Sequence, residues 1–247
     1  MPFKSSKITY GIPSDGFNRE LINEYIEDVK KELNLKREIV GIKLFFSKEE
    51  YDKCKIEPIK GKTAYCVMVE RATRGHSCKS VLENHNCDGG TTALGLERST
   101  ERIESGEEYF SYNLYATNAV ARRMRQNVMS LHREEASTYG VLIQPLKDFE
   151  VIPDVIILIG TPYHSMSILQ GYVYNNGLKP TLNCKAMQAL CSECTTVPYM
   201  TGEMNISTLC PSTRMLAKWK EEELAIGIPY ERFEETIRGI MATSMKK

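Results

Sequence analysis

The 247-residue sequence lacks the features that mark nucleic-acid-binding and membrane proteins. Its Lys and Arg residues number 32 and so do its Asp and Glu residues, which gives a formal net charge of zero. Proteins that bind nucleic acid or anionic membranes carry a basic surplus instead. The most apolar stretch, residues 151–160, contains Pro153 and Asp154 and is far too short to span a bilayer. Residues 1–10 have no apolar core of a secretory signal. We therefore expect a cytoplasmic protein with neither a nucleic-acid nor a membrane partner.

The usual signatures of nucleotide-binding and hydrolytic enzymes are also missing. The sequence has no G-x-G-x-x-G or G-x-x-x-x-G-K-[ST] loop to hold phosphates. It has no G-x-S-x-G or H-E-x-x-H motif to carry a serine or zinc hydrolase. Neither class of enzyme is predicted.

Apolar residues follow helical and strand periodicity in turn along the chain, and no low-complexity linker interrupts them. This pattern predicts one domain, residues 1–247, of the α/β (or α+β) class, with a mixed sheet and helices around it. Predicted helices are residues 21–33, 91–96, 117–129, 165–174, 211–219 and 230–241; predicted strands are 40–46, 141–146, 155–159 and 224–228; residues 64–72 fit either.

The unusual feature of the composition is eight cysteines beside four histidines and one tryptophan. A reducing cytoplasm disfavours four structural disulfides. The thiols are then buried core residues, redox-active groups or metal ligands, and the count alone leaves all three open.

Four of the cysteines form two spaced pairs. Twenty residues separate Cys66 from Cys87, and 18 separate Cys191 from Cys210. The second cysteine of each pair precedes small residues and a predicted helix, which indicates a weak internal half-duplication. A helix start favours a thiolate through its free N–H groups and its dipole. Folding that joined the two pairs would supply four thiolates for an iron–sulfur cluster of the 4Fe–4S type or, as the alternative, for zinc. The C-x2-C-x2-C spacing of ferredoxins is absent.

Two glycines follow the second of these cysteines. Gly89 and Gly90 would allow the backbone to approach a cluster sulfide or another anion closely, so they are predicted cofactor-binding residues.

Two alternatives stay open. Cys191 and Cys194 form a C-x-x-C of the kind found in thiol oxidoreductases, although residues 185–190 before it look like a helix already under way. The other is a non-catalytic module that binds a small molecule near residues 161–164, beyond a buried strand, with the cysteines as core residues. His164 is the candidate ligand-binding side chain there, and a hydrogen-bonded structural histidine is the commoner case.

The chain resembles the prokaryotic domain of unknown function 169 family, which is common in archaea and anaerobic bacteria. The resemblance covers about residues 20–243. It rests on Tyr65-Cys66, Arg71-Ala72 with Gly75, Cys87-Asp88-Gly89-Gly90, Leu94-Gly95-Leu96, Pro153-Asp154-Val155, Cys191-Ser192, Pro198-Tyr199 with Thr201-Gly202, Cys210 with Arg214, and residues 223–229.

The resemblance implies family cysteines at the positions of Cys66, Cys87, Cys191 and Cys210. The remaining cysteines look particular to this chain: Cys54, Cys78, Cys184 and Cys194. Arg214 joins the predicted cofactor-binding residues. The family name implies no activity. The expectation is thus a cysteine-ligated metalloprotein in electron transfer, redox sensing or cofactor handling, with an unidentified redox or small-molecule partner. Eleven methionines and zero net charge leave room for a homo-oligomer.

Overall fold

The structure is a computed structural model that describes residues 17–132, 135–177 and 179–244. Residues 1–10, on which the prediction about a secretory signal rests, lie outside these ranges. Within them six strands form one sheet in the order β2-β3-β1-β4-β6-β5. The strands are β1 (Val40–Phe45), β2 (Cys78–Val81), β3 (Gly140–Pro145), β4 (Val155–Gly160), β5 (Asn205–Ser207) and β6 (Leu224–Pro229).

Eleven α-helices and one π-helix surround the sheet in the described ranges. The α-helices are α1 (Arg19–Leu33), α2 (Lys48–Lys53), α3 (Tyr65–Ala72), α4 (Asp88–Ala93), α5 (Glu101–Glu104), α6 (Glu107–Ser111), α7 (Asn118–Gln126), α8 (Pro162–Val173), α9 (Val197–Thr201), α10 (Pro211–Ala217) and α11 (Phe233–Thr243). The π-helix runs over Ala189–Thr196. None of the described helices is long and apolar enough to cross a membrane.

The α/β class with helices around a sheet is confirmed. The strand ladders are all antiparallel, whereas a mixed sheet was expected; within the described ranges, parallel pairing is confined to two isolated bridges. Residues 64–72, which fit either structure, form α3, because Tyr65, Met68, Val69 and Ala72 bury one face at helical spacing.

The two halves of the sheet repeat one arrangement, so the half-duplication indicated by the cysteine spacing has a structural counterpart. Val40 of β1 pairs with Pro145 at the end of β3, and Val155 of β4 pairs with Pro229 at the end of β6. The edge strands show the same correspondence. A serine of β2 lies opposite the second residue of β3, and a serine of β5 lies opposite the second residue of β6. The halves meet where β1 pairs with β4.

Alternate residues of each strand face opposite sides of the sheet, and the two sides are covered differently. On the side that we call the helical face, α1, α8 and α11 pack over residues such as Ile156 and Leu158 of β4. On the opposite side, the cysteine face, α3, α4, the π-helix and the segment around α10 pack over residues such as Val155 and Ile157 of the same strand.

The prediction of a helix over residues 185–190 is wrong. Ala186 and Gln188 adopt left-handed backbone conformations, with φ of 53° and 52°, and a right-handed helix cannot pass through such residues. Regular structure begins at Ala189, where the amides of Ser192 and Glu193 both bond to the carbonyl of Gln188.

Candidate metal centre

Each of the four paired cysteines lies at the start of a helical segment on the cysteine face. Cys87 is the N-cap of α4 and Cys210 is the N-cap of α10. Cys66 is the second residue of α3, and Cys191 is the third residue of the π-helix. Helix starts carry free N–H groups, so these positions favour negative charge on sulfur.

The structure brings these four cysteines together. Burial raises the pKa of the Cys66 thiol to about 12, with the charges of Cys87 and Cys210 adding to the effect. Burial likewise raises the pKa of Cys87, with a further contribution from Cys210. It raises the pKa of Cys191 well above its ordinary value, and Cys87, Cys210 and Cys66 all contribute. Every one of the six pairs therefore interacts, although the two halves of the chain supply two thiols each.

Hydrogen-bond donors approach three of these sulfurs. The nearby amides of Gly90 and Gly89 act to lower the pKa of the Cys87 thiol against the effect of burial, and the Gly90 amide donates a hydrogen bond to the Cys87 carbonyl. The Thr213 hydroxyl and the Val67 amide act on the pKa of Cys66 in the same direction. The Ser192 amide acts to lower the pKa of Cys191. These donors would stabilise thiolates once metal binding had displaced the protons.

The two predicted glycines have different uses at this point. A Cβ atom on Gly89 would lie 3.1 Å from the Tyr109 hydroxyl and 3.2 Å from Nε2 of Gln188, which is tighter than most real contacts. A Cβ on Gly90 would lie 3.7 Å from Sγ of Cys87, an ordinary contact. A side chain at Gly89 would therefore crowd Tyr109 and Gln188, whereas Gly90 has room for a Cβ atom beside Cys87.

The thiols are neighbours without converging on one point. Among the described residues, no group of three or more His, Cys, Asp or Glu side chains is arranged so that it could hold a metal ion. A single zinc ion with Zn–S bonds of about 2.3 Å would hold its four sulfurs about 3.8 Å apart. The four thiols as placed do not form such a site.

The two cysteines of the C-x-x-C sequence have different neighbours. The pKa of Cys194 is raised well above its ordinary value by burial, with Glu193 and Cys184 as the charged neighbours, whereas Cys191 has the other three paired cysteines as its neighbours. The π-helix bonds residue i to residue i+5, and its wide turn sends side chains three apart in different directions. A redox nucleophile needs a lowered pKa and access to solvent, and the thiol of Cys194 has neither.

Of the other cysteines, Cys78 and Cys194 pack in the same core cluster as Cys66, Cys191 and Cys210, whereas Cys54 packs in the cluster on the helical face. All eight are free thiols. Cys54 ends α2 and Cys78 begins β2, and both neighbour Tyr51. Cys184 is exposed, with Sγ 3.5 Å from the Thr208 hydroxyl.

Arg214 lies on α10, one turn beyond Cys210. Its guanidinium donates to the carbonyl oxygens of Thr208 at 2.8 Å, Lys220 at 2.8 Å and Glu223 at 2.9 Å. These bonds tie the segments before and after α10 together. The arginine thereby positions the helix that Cys210 caps, and its contact with a cofactor stays a prediction.

His164 lies on the opposite side of the sheet, at the start of α8. Its Nδ1 accepts a hydrogen bond from the Thr161 amide at 3.1 Å, and it also bonds to the backbone of Leu33 at the end of α1. Burial lowers the pKa of His164. The structure does not bring this residue to the cysteines, and its contacts are those of a helix cap between α8 and α1.

Two residues beside the thiols were not anticipated from the sequence. Tyr109 and Gln188 are 7% and 6% exposed, and both approach Gly89. The Gln188 amide donates to the Gly89 carbonyl. Neither residue belongs to a local motif, because each reaches the site from a segment distant from Gly89 in the sequence.

Comparison with known proteins gives a family without a described activity. A sequence model of the DUF169 family, described as uncharacterised ArCR, matches residues 28–239. An uncharacterised protein of Methanocaldococcus jannaschii, MJ0308, is 25% identical over 224 residues, which cover 89% of this chain and 94% of the relative. No solved structure matches the chain.

Proposed function

Since the chain belongs to the DUF169 family, as its resemblance indicates, we propose that it is an iron–sulfur protein that transfers single electrons. Cys66, Cys87, Cys191 and Cys210 would hold the cluster. The observation that carries the proposal is the meeting of these four sequence-distant thiols on one face of the sheet.

The proposal takes a cluster as the occupant, with zinc as the alternative that metal analysis distinguishes. Several irons and sulfides lie between the cysteine sulfurs of a cluster, so its ligands stand farther apart than those of one ion. The four thiols interact in every pair, yet as placed they do not form a group that could hold a metal ion. Four cysteine thiols have the donor chemistry that a cluster requires.

The surroundings of the thiols suit a charged cofactor. The amides of Gly89, Gly90, Val67 and Ser192 lie near three of the four sulfurs and act to lower the pKa values of those thiols. Hydrogen bonds to sulfur and the degree of burial are two of the factors that set a cluster's potential. A cluster bound here would supply one reversible electron.

Electron transfer follows from the partial exposure of the site. Cys191 is buried, whereas Cys66, Cys87 and Cys210 are only half-buried. A cluster held by them would lie near the protein surface, within reach of a redox partner.

The proposal is tested by anaerobic purification followed by iron and sulfide assay and absorption and paramagnetic resonance spectra. We expect about four irons and four sulfides per chain, as for one 4Fe–4S cluster. Serine in place of any one of the four ligands should remove most of the iron and the colour. Cys184→Ser and Cys54→Ser are the matched controls and should leave both unchanged.

Colourless, iron-free protein with eight titratable thiols contradicts the proposal. Stoichiometric zinc on the same four cysteines supports the ligand set and contradicts the cluster. Equal iron in the ligand and control variants contradicts the assignment of ligands.

A further inference from the structure

Helix α7 carries three arginines within four residues, and the structure gives them two different surroundings. Arg125 is fully buried and pairs with Glu104 at 2.7 Å, so it joins α7 to the last residue of α5. Arg122 and Arg123 are exposed, and both line a cavity of about 470 Å³ that is open to solvent. One arginine of the helix thus has a structural partner inside the protein, and the other two face open space. We call this space the α7 cavity.

The α7 cavity carries positive charge that its own wall does not neutralise. Its remaining lining residues are Ser105, Asn118, Ala119 and Gln126. None of them is acidic, and within the described ranges neither Arg122 nor Arg123 forms an ion pair. Acidic residues of the adjoining helices are engaged elsewhere, since Glu104 pairs with Arg125 and Glu108 pairs with Arg102. Two guanidinium groups are therefore left facing one cavity.

A second cavity of almost the same size shows the contrast. It measures about 460 Å³ and has Glu38 and Glu223 on its wall beside its basic residues. Arg37 binds both carboxylate oxygens of Glu223, and Glu38 pairs with Lys30 and Lys147. That cavity thus contains anions of its own for nearby cations, whereas the wall of the α7 cavity contains none.

The walls of the α7 cavity are held in a fixed relation. Gly106, which follows the lining residue Ser105, has a φ of 82°, and a Cβ atom on it would lie 2.2 Å from the amide nitrogen of Arg122. The turn between α5 and α6 therefore lies directly against the backbone of α7. The ion pair of Arg125 with Glu104 joins the same two segments. A cavity that is formed before its ligand arrives costs less entropy to fill.

We propose that the α7 cavity binds the phosphoryl group of a small phosphorylated compound through Arg122 and Arg123. A guanidinium presents its N–H donors in a planar fork that matches phosphate oxygens. A phosphate monoester carries about −1.5 to −2 charges at pH 7, which two arginines balance. Protein cavities of roughly 300–1,000 Å³ hold small molecules, so the space exceeds what a phosphoryl group alone requires. The proposal is independent of the iron–sulfur function.

The test is a calorimetric titration of the full chain with inorganic pyrophosphate in magnesium-free buffer. We expect one pyrophosphate to bind per chain. Arg122→Gln and Arg123→Gln should each raise the dissociation constant roughly tenfold, as for the loss of a hydrogen bond between charged groups, and the double variant should not bind measurably. Both side chains are exposed, so the variants should keep the melting temperature of the wild type.

The matched control is Lys36→Gln combined with Lys220→Gln. It also removes two exposed cations, but from the wall of the second cavity, and should leave the dissociation constant within about twofold of the wild-type value. A further variant, Arg122→Lys combined with Arg123→Lys, keeps both charges and removes the forks, and it should still bind more weakly than the wild type.

Four results would overturn the inference. The first is a wild-type protein that does not bind pyrophosphate. The second is an equal loss of affinity in the Lys36 and Lys220 control, which would indicate attraction by charge at no particular site. The third is wild-type affinity in the double lysine variant, which would exclude recognition by the arginine forks. The fourth is succinate binding as tightly as pyrophosphate, which would mean that the cavity does not select phosphoryl groups.

Discussion

The two faces of one sheet are built in different ways. The helical face is covered by α1, α8 and α11, which are 15, 12 and 11 residues long. The cysteine face is covered by α3, α4, the π-helix and α10, none longer than eight residues. Long helices bury large apolar stripes, and short segments multiply helix starts. All four candidate ligands therefore lie on the face made of short segments.

The largest loss of stability should come from a substitution on the helical face, and its size should be the same with and without bound iron. Phe233 is 1% exposed at the start of α11. We expect Phe233→Ala to lower the free energy of unfolding by about 3–5 kcal/mol, since it leaves a large cavity. Denaturant unfolding should give the same loss in iron-free and iron-loaded protein. Met241→Ala, at an exposed position of the same helix, should change stability by less than about 0.5 kcal/mol. A loss of stability found only in the iron-loaded protein would contradict the expectation that the helical face acts independently of the candidate site.

Two glycines, one on each face, allow the faces to be compared by substitutions that should reduce stability by similar amounts. A Cβ on Gly227 of β6 would collide with the backbone of Cys194 in the π-helix, and one on Gly239 of α11 would collide with the backbone of Gly171 in α8. Each alanine variant should cost about 1–3 kcal/mol through overpacking. Only Gly227→Ala should also lower the iron content of folded protein, because it pushes away the helix that carries Cys191. Equal iron content in the two variants would count against this division.

The smallest expected loss of stability comes from an ion pair at the rim of the cysteine face. Burial on its own would raise the pKa of Glu223, but hydrogen bonds from Arg37 and the Lys220 amide, together with the Arg37 charge, outweigh burial and lower it below 4.5. Arg37 binds both carboxylate oxygens, at 2.6 and 3.0 Å. A lowered folded-state pKa means that the stabilisation is complete above pH 4.5 and is lost as the pH falls through the folded-state value.

Glu223→Gln should therefore reduce stability by about 1 kcal/mol at pH 7, since a charged hydrogen bond becomes neutral. Denaturant unfolding at several pH values should show the difference from wild type shrinking as the pH falls from 5 towards 3. Glu222→Gln, an exposed neighbour, is the control and should track the wild type throughout. A difference that stays constant across this range would mean that Glu223 does not act through its charge.

The sequence pattern predicts the helical face better than the cysteine face. Helix α1 follows from its apolar spacing, and Asn18 caps it by accepting a hydrogen bond from the Leu21 amide. Strands β3 and β4 follow from apolar runs bounded by Gly and Pro. Such signals are local, because a long periodic segment determines its own structure before tertiary contacts act.

The site could be predicted only in part. Cysteine spacing and the family resemblance select the four thiols that meet, and Cys87 and Cys210 do lie at helix starts. The π-helix around Cys191 has no local signal, since it depends on left-handed backbone at Ala186 and Gln188. Tyr109 has no local sequence signal either, because its place beside Gly89 depends on the packing of α6 against α7.

The register shared by the two halves has a consequence for biosynthesis. Cys66 and Cys87 leave the ribosome with the first half, and Cys191 and Cys210 belong to the second, so the first two thiols exist without their partners during elongation. At about 5–20 residues per second this interval lasts on the order of ten seconds. All four thiols are present only once Cys210 has been synthesised, and the pairing of β4 with β1 joins the two halves. A truncated chain that ends before Cys191 therefore contains only two of the four candidate ligands.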